Sequence, residues 1–557
     1  MRASFLCLVA LLTACGDTPK RTWPRVAPRA PTQRATDHRG DDDLLSAGLG
    51  LAGLQSATPP PFADVARPTP TELRRRAIWS SWRGIADVAS LAAVANVPGR
   101  EFTALLTLPT SKQPHRVVVQ VPDGFDLEHR CLVVAASSGS RGVYGAIAVA
   151  GAWGLPRGCA VAYTDKGAGS DYFDLASDTG VRLDGTRGTR GEALAFTPAS
   201  GAGGVAVKHA HSGDNPESLW GKYVLQAAEL GLEALHEAYP LAGDFDFEST
   251  RVIATGISNG GGAALRAAEV PGFWLDGVVV GEPNVNAPGG RPLFDYATEA
   301  ALFMPCALLK NVARCASLAG AGMVTGTTLS ARADNAREIL RTSGFTDEAL
   351  ATGTDVTAAD LWRAIAVSYA SAYSAAGPAD HPCGYRLALL AEDGAERQAT
   401  ESERAAWYAD ASGIPPGSGV AIVDTKASGD DPTFAGLECL RKLVVTPTVG
   451  DAIAATRAEL ARPGLPVLIV HGTHDGLIPE AFSSAPYVAV SRMEGRVVRA
   501  WRVEGGQHFD AFLARPGYRE RYVALLPHVH AALDALWTHL DGTTPMPADQ
   551  WIAKSRP

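Results

Sequence analysis

The pentapeptide Gly256-Ile257-Ser258-Asn259-Gly260 constrains this chain more than any other feature, because of its flanks. Val252-Ile253-Ala254 reads as a strand before it, and Gly261-Gly262-Ala263-Ala264-Leu265 opens a helix after it. A serine between strand and helix sits on a sharp turn that lifts its hydroxyl above the sheet. The flanking glycines let neighbouring backbone approach closely. The helix N-terminus adds positive potential where a negative oxygen would develop. A serine hydroxyl is a poor nucleophile without a base, so the rest of the chain must supply one, with an acid to orient it.

In the fold that carries this turn, the acid and then the base follow later strands. Val467-Leu468-Ile469-Val470 leads into His471-Gly472-Thr473-His474-Asp475, which supplies Asp475 as the acid. Ala500-Trp501-Arg502-Val503 leads into Glu504-Gly505-Gly506-Gln507-His508, which supplies His508 as the base. Asp510 and Glu480 are the competing acids; His471 and His474 are read as structural. The oxyanion hole needs two backbone N–H groups. Asn259, next after the serine, gives one. The other is expected from Ser137-Ser138-Gly139-Ser140-Arg141-Gly142, with Gly139 or Ser140 favoured, after the apolar strand Cys131–Ala136.

Around these motifs, strands and helices alternate. Strands are expected over 103–108, 116–121, Cys131–Ala136, 159–163, 251–255, 275–280, 466–470 and 497–503, with helices over 145–153, 261–269 and 523–540. Another helix is expected after Asn215-Pro216, with Leu219, Tyr223, Ala227, Leu230 and Ala234 as its apolar face. The alternation indicates a mostly parallel sheet with helices on both faces: an α/β class chain of the α/β-hydrolase fold. The reading places a first core part at 41–285, a mainly helical lid insertion at 286–450 and a second core part at 451–557.

The first residues read as an export signal. Arg2 precedes a short apolar stretch that ends in Leu12-Thr13-Ala14-Cys15, which resembles a lipoprotein box with Cys15 as the lipid-bearing residue. A protein exported and anchored in a membrane, facing the periplasm or the cell exterior, is therefore expected, with secretion behind an ordinary cleaved signal as the alternative; 1–15 is read as signal and 16–40 as a Pro-, Arg- and Thr-rich tether. Asp41-Asp42-Asp43 is read as a helix start, with acids at its positive end. Of 8 cysteines, Cys7 and Cys15 belong to the signal. Cys306 with Cys315 and Cys383 with Cys439 are the expected disulfides, and Cys131 and Cys159 are expected as buried thiols. A net charge of −9 gives no basic footprint for nucleic acid. Recognition of an anionic ligand must then come from local groups.

Longer strings carry a family resemblance. Asp41-Asp42-Asp43-Leu44-Leu45-Ser46-Ala47-Gly48-Leu49-Gly50, the loop from Ser137 to Gly142, Tyr163-Thr164-Asp165-Lys166-Gly167, Lys208-His209-Ala210-His211-Ser212 with Asn215-Pro216-Glu217, and Ser258 through Glu269 resemble the D-(−)-3-hydroxybutyrate oligomer hydrolases. The likeness runs from about Asp41 to about Leu540. It implies hydrolysis of ester bonds in short 3-hydroxybutyrate oligomers to monomers, with Ser258 as nucleophile and with no metal or cofactor. A terminal carboxylate on such a substrate could bind Arg141, Lys166 or Lys208; His209 and His211 are read as structural. The rival functions are a tannase- or feruloyl-esterase-like hydrolase and a catalytically dead lipid-anchored binding protein. Oligomeric state is not legible.

Overall fold

The computed structural model describes residues 32–169, 171–199, 201, 203–358, 360–410 and 417–554. Cys15 and the lipoprotein box lie outside them.

Runs of β-branched and small apolar residues build one ten-stranded sheet. Its strands are β1 (Thr32–His38), β2 (Gly99–Leu106), β3 (His115–Pro122), β4 (Cys131–Ala136), β5 (Ala160–Thr164), β6 (Arg251–Ile257), β7 (Gly277–Gly281), β8 (Val467–Gly472), β9 (Val498–Val503) and β10 (Gln550–Ile552). The order across the sheet is β1-β2-β3-β5-β4-β6-β7-β8-β9-β10. From β5 to β10 all neighbours are parallel; β1, β2 and β3 pair antiparallel and extend one edge. Every residue of β4 and β8 is buried, as expected for strands covered on both faces.

Helices cover both faces. On one, α2 (Trp220–Ala238) and α3 (Asn259–Ala267) pack Trp220, Tyr223, Leu235 and Leu265 against Val134, Val252 and Val280. On the other, α1 (Pro70–Ile85) and α6 (Leu526–Leu540) pack Ile78, Trp82, Leu533 and Leu536 against Val133, Ile253 and Leu468. Each fully buried aliphatic side chain contributes about 1.5–3 kcal/mol, so the two layers hold the sheet edge that carries the functional loops.

Three expectations change. Residues 32–38 are not tether: as β1 they pair along the whole of β2, from Thr32 opposite Leu105 to His38 opposite Gly99. Asp41-Asp42-Asp43 does not start a helix. The Asp43 carboxylate instead accepts the backbone N–H groups of Leu45, Ser46 and Gly48, closing a turn, while the helix ahead of Trp82 begins at Pro70 behind a Thr69/Glu72 capping box. Cys131 and Cys159 are not free thiols. They stand at the starts of the neighbouring strands β4 and β5, and the geometry joins them. The segment after β7 is mainly helical as expected, and past α4 (Leu293–Ala307) and α5 (Leu361–Tyr373) it also carries a three-stranded sheet over Tyr385–Leu390, Glu396–Arg397 and Val420–Asp424. Cys306–Cys315 and Cys383–Cys439 are paired as expected.

Candidate active site

Ser258 stands between β6 and α3 with φ 59° and ψ −126°, a left-handed conformation that costs on the order of 1–3 kcal/mol for a residue with a side chain. Two glycines make the turn possible. A Cβ on Gly256 would lie 2.4 Å from the carbonyl carbon of Gly260, and one on Gly260 would lie 2.3 Å from the Ala136 carbonyl oxygen. The second approach brings the end of β4, and so the 137–142 loop, against the serine. The Ser258 carbonyl accepts Gly262 N–H and Asn284 N–H, each at 2.9 Å, which fixes the turn.

Three loops meet at this edge. His508 Nε2 lies 3.0 Å from Ser258 Oγ, and His508 Nδ1 lies 2.7 Å from Asp475 Oδ2. All three residues are buried. Since Oδ2 is a carboxylate acceptor, Nδ1 carries the proton and Nε2 is free to accept from the serine. The other oxygen, Oδ1, accepts the backbone N–H groups of Leu477 and Ile478, both at 2.8 Å. His471 fastens the same loop, with Nε2 on the Ile478 carbonyl at 2.9 Å and Nδ1 2.7 Å from Ser484 Oγ. His474 pairs locally with Thr473 Oγ1 at 2.9 Å.

The competing acids are engaged elsewhere. Asp510 accepts the N–H groups of Leu525 (2.6 Å) and Leu526 (3.0 Å), and burial pushes its carboxyl up to about 7. Glu480 accepts Arg502 at 2.6 Å.

The backbone N–H groups of Asn259, Gly139 and Ser140 make no hydrogen bond to a described residue. The loop that carries the last two is braced from beneath. Lys166 Nζ donates to Gly139 O at 2.6 Å and Ser137 Oγ at 3.0 Å, and Ser140 Oγ lies 2.6 Å from His209 Nδ1. Burial drives the Lys166 ammonium down to about 7 and the His209 imidazole down to about 3, so His209 is neutral.

These contacts correct two expectations about carboxylate binding. Lys166 is fully buried and props the loop. Lys208 is also fully buried, 2.8 Å from Asp165 Oδ2 and 3.4 Å from Asp171 Oδ2. Neither ammonium faces a ligand. Arg141 has no ion pair among the described residues; its guanidinium donates to the Gly84 carbonyl and lies over the Phe509 ring. His211 accepts the Val207 N–H at 3.0 Å, a structural role as expected.

Sequence reading missed the polar layer that joins the inserted segment to the nucleophile turn. Asn259 Nδ2 donates to the Tyr369 hydroxyl at 3.0 Å, and Asn284 Nδ2 donates to Asn259 Oδ1 at 2.9 Å. The Tyr373 hydroxyl donates to Glu217, whose carboxyl burial pushes up to about 7. The ring of Tyr369 meets the His209 ring edge-on at 4.8 Å. Only Asn215-Pro216-Glu217 hinted at this layer, and its partners come from a helix more than a hundred residues away. Glu282, at the end of β7, was missed too. Burial, with Asp475 and Asp510 nearby, raises its carboxyl well above the usual range, and neither of its oxygens has a hydrogen-bond partner among the described residues.

A cavity reaches His508 between Thr352, Val356 and Leu361 of the inserted segment and Leu477, Phe512 and Tyr518 of the core loops. The lining is mainly apolar.

The model of the 3HB-oligomer hydrolase family matches residues 12–556. A D-(-)-3-hydroxybutyrate oligomer hydrolase of Paraburkholderia xenovorans is 35% identical over 649 aligned positions, which cover 99% of this chain and 91% of that one. One from Cupriavidus metallidurans is 37% identical over 606 positions, covering 92% and 84%. Among solved structures, feruloyl esterase B from Aspergillus oryzae aligns over 82% of both chains at 12% identity, with a TM-score of 0.37. From the family match and these relatives, which extend over nearly its whole length, the chain belongs to the 3HB-oligomer hydrolase family.

Proposed function

We propose that this protein is a serine esterase that hydrolyses short 3-hydroxybutyrate oligomers to 3-hydroxybutyrate through an acyl-enzyme. The observation that carries the mechanism is the hydrogen-bonded row of Ser258, His508 and Asp475, next to the Asn259 N–H, which has no partner among the described residues. The substrate class rests on the relatives.

His508 Nε2 takes the proton of Ser258 Oγ as the oxygen attacks the ester carbonyl. Asp475 holds the imidazole in the reactive tautomer and stabilises its charged form. The N–H groups of Asn259 and of Gly139 or Ser140 bind the tetrahedral oxygen. His508 then gives its proton to the departing alkoxide. Water, activated by the same imidazole, releases the acyl group and restores the serine.

The test is hydrolysis of the 3-hydroxybutyrate dimer, the trimer and the polymer by purified protein and by Ser258→Ala. Dimer and trimer are cut by the parent, and the folded variant is inactive. Hydrolysis that persists in the variant rejects the nucleophile; an active esterase that leaves both oligomers intact rejects the substrate class.

The N-terminal sequence supports a lipid anchor at Cys15, and with it a place on a membrane facing the periplasm or cell exterior. Radiolabelled palmitate incorporated into the parent and not into Cys15→Ser is the expected result; equal labelling of both opposes it.

A further inference from the structure

Four buried cations are paired with acids, and the partly buried Arg141 is not; Lys166, also buried and without an ion pair among the described residues, is spent on Gly139 and Ser137. Arg74 pairs with Glu101 and Asp42, Arg116 with Asp171, Arg314 with Asp431, and Lys208 with Asp165 and Asp171. The partly buried Arg141 guanidinium donates Nη2 to the Gly84 carbonyl at 3.1 Å and lies over the Phe509 ring at 5.5 Å. No carboxylate reaches it among the described residues, and burial alone draws it down to about 10. A desolvated cation without a counter-charge is costly, and a bound anion offsets that cost.

Its position says which anion. Arg141 follows Ser140 on the loop that leaves β4, and the last carbonyl of β4, at Ala136, packs against Gly260 of the nucleophile turn. The Phe509 ring beneath it comes next after His508 in sequence and packs 4.2 Å from the imidazole. The imidazole protonates the departing alkoxide, so the leaving portion of an ester lies on the His508 side, toward Phe509 and Arg141. In a hydroxyacid dimer the leaving portion ends in a carboxylate about 5 Å from the ester carbon. The Phe509 ring, 4.2 Å from the imidazole and 5.5 Å from the guanidinium, links the two groups. A planar guanidinium also matches a carboxylate in a two-point fork.

We infer that Arg141 binds the free chain-end carboxylate of the leaving group, so that the enzyme releases 3-hydroxyacid units from the carboxyl end of the oligomer. This rests on the ester substrate proposed above. It gives an acidic protein a local cationic subsite beside its nucleophile, and it assigns to one residue the preference for oligomer acids over neutral esters.

The experiment compares the 3-hydroxybutyrate dimer as free acid and as methyl ester, in the parent, Arg141→Gln and Arg141→Lys. Both compounds are read as substrates, by kcat/KM, and as inhibitors of 4-nitrophenyl butyrate hydrolysis. The parent favours the free acid by about tenfold or more, the scale of a charge-assisted hydrogen-bond pair. In Arg141→Gln the ratio of acid to ester falls to near one. In Arg141→Lys, which keeps the charge and loses the fork, it falls to an intermediate value. A parent that treats the two forms alike overturns the inference, and so do variants that lose both forms by the same factor with the ratio intact. The parental ratio alone decides if neither variant folds. If the parent cuts 4-nitrophenyl butyrate but neither dimer form, the substrate assignment falls, and the inhibition ratios still decide the role of Arg141.

Discussion

The carboxylate of Asp475 holds His508 with one oxygen and its own loop with the other. Oδ2 accepts the imidazole Nδ1–H at 2.7 Å, and Oδ1 accepts two backbone N–H groups at 2.8 Å. Orientation of the base and conformation of the acid loop are therefore one arrangement. Asp475→Asn preserves shape but offers His508 a donor in place of an acceptor, which favours the wrong tautomer. We expect kcat to fall by roughly three to four orders of magnitude with KM little changed. Steady-state kinetics on a chromogenic ester checks this, and a loss below tenfold would remove Asp475 from the row.

Lys166 props the 137–142 loop through the Gly139 carbonyl and Ser137 Oγ. Lys166→Met fills the space but leaves that carbonyl unsatisfied. The expected result is a kcat lower by about ten- to a hundredfold at similar KM, because the oxyanion donors are displaced while the rest of the site is intact. A rise in KM alone would show that Lys166 touches substrate after all.

Glu217 gives a pH signature. Burial raises its carboxyl to about 7, above the unfolded value near 4.5. A raised carboxyl favours the folded state fully below the unfolded value, and that contribution is lost as pH climbs through about 7. Glu217→Gln retains an acceptor for the Tyr373 hydroxyl and cannot ionise. Relative to the parent it should gain stability between pH 5 and pH 8, by on the order of 2 kcal/mol at the upper end. Urea melts at the two pH values measure it; a difference that does not change with pH would contradict the assignment.

The bond between Cys131 and Cys159 closes a 28-residue separation between two neighbouring core strands. Its loss through Cys131→Ala with Cys159→Ala is expected to destabilise the protein by about 3 kcal/mol, chiefly through the freedom restored to the unfolded chain. Thermal unfolding of the double variant against the parent tests this, and an unchanged midpoint would be evidence that the two sulfurs are not joined.

The sequence carried much of this site because its chemistry is local. Ser258 is framed by glycines whose replacement would clash with backbone, Asp475 follows an apolar run that reads as a buried strand, and His508 follows the strand beside it. The antiparallel edge strand at 32–38 was hidden, because most of its residues face solvent and its composition resembles a linker. The pairing of Cys131 with Cys159 depended on strand order, which puts β4 beside β5 without any mark in the residues themselves. Lys166 and Lys208 looked available for a carboxylate because a sequence shows charge and not burial. The Asn259–Tyr369 contact joins residues 110 apart in sequence, and no spacing rule announces such a meeting.

Everything above depends on Ser258 being the activated nucleophile. A fluorophosphonate probe followed by peptide mass spectrometry tests this most directly. One covalent adduct per chain, on the peptide containing Ser258, absent in Ser258→Ala and formed far more slowly in His508→Gln, is the predicted result. Stoichiometric labelling of a different serine, or labelling of Ser258 at the same rate without His508, would contradict it.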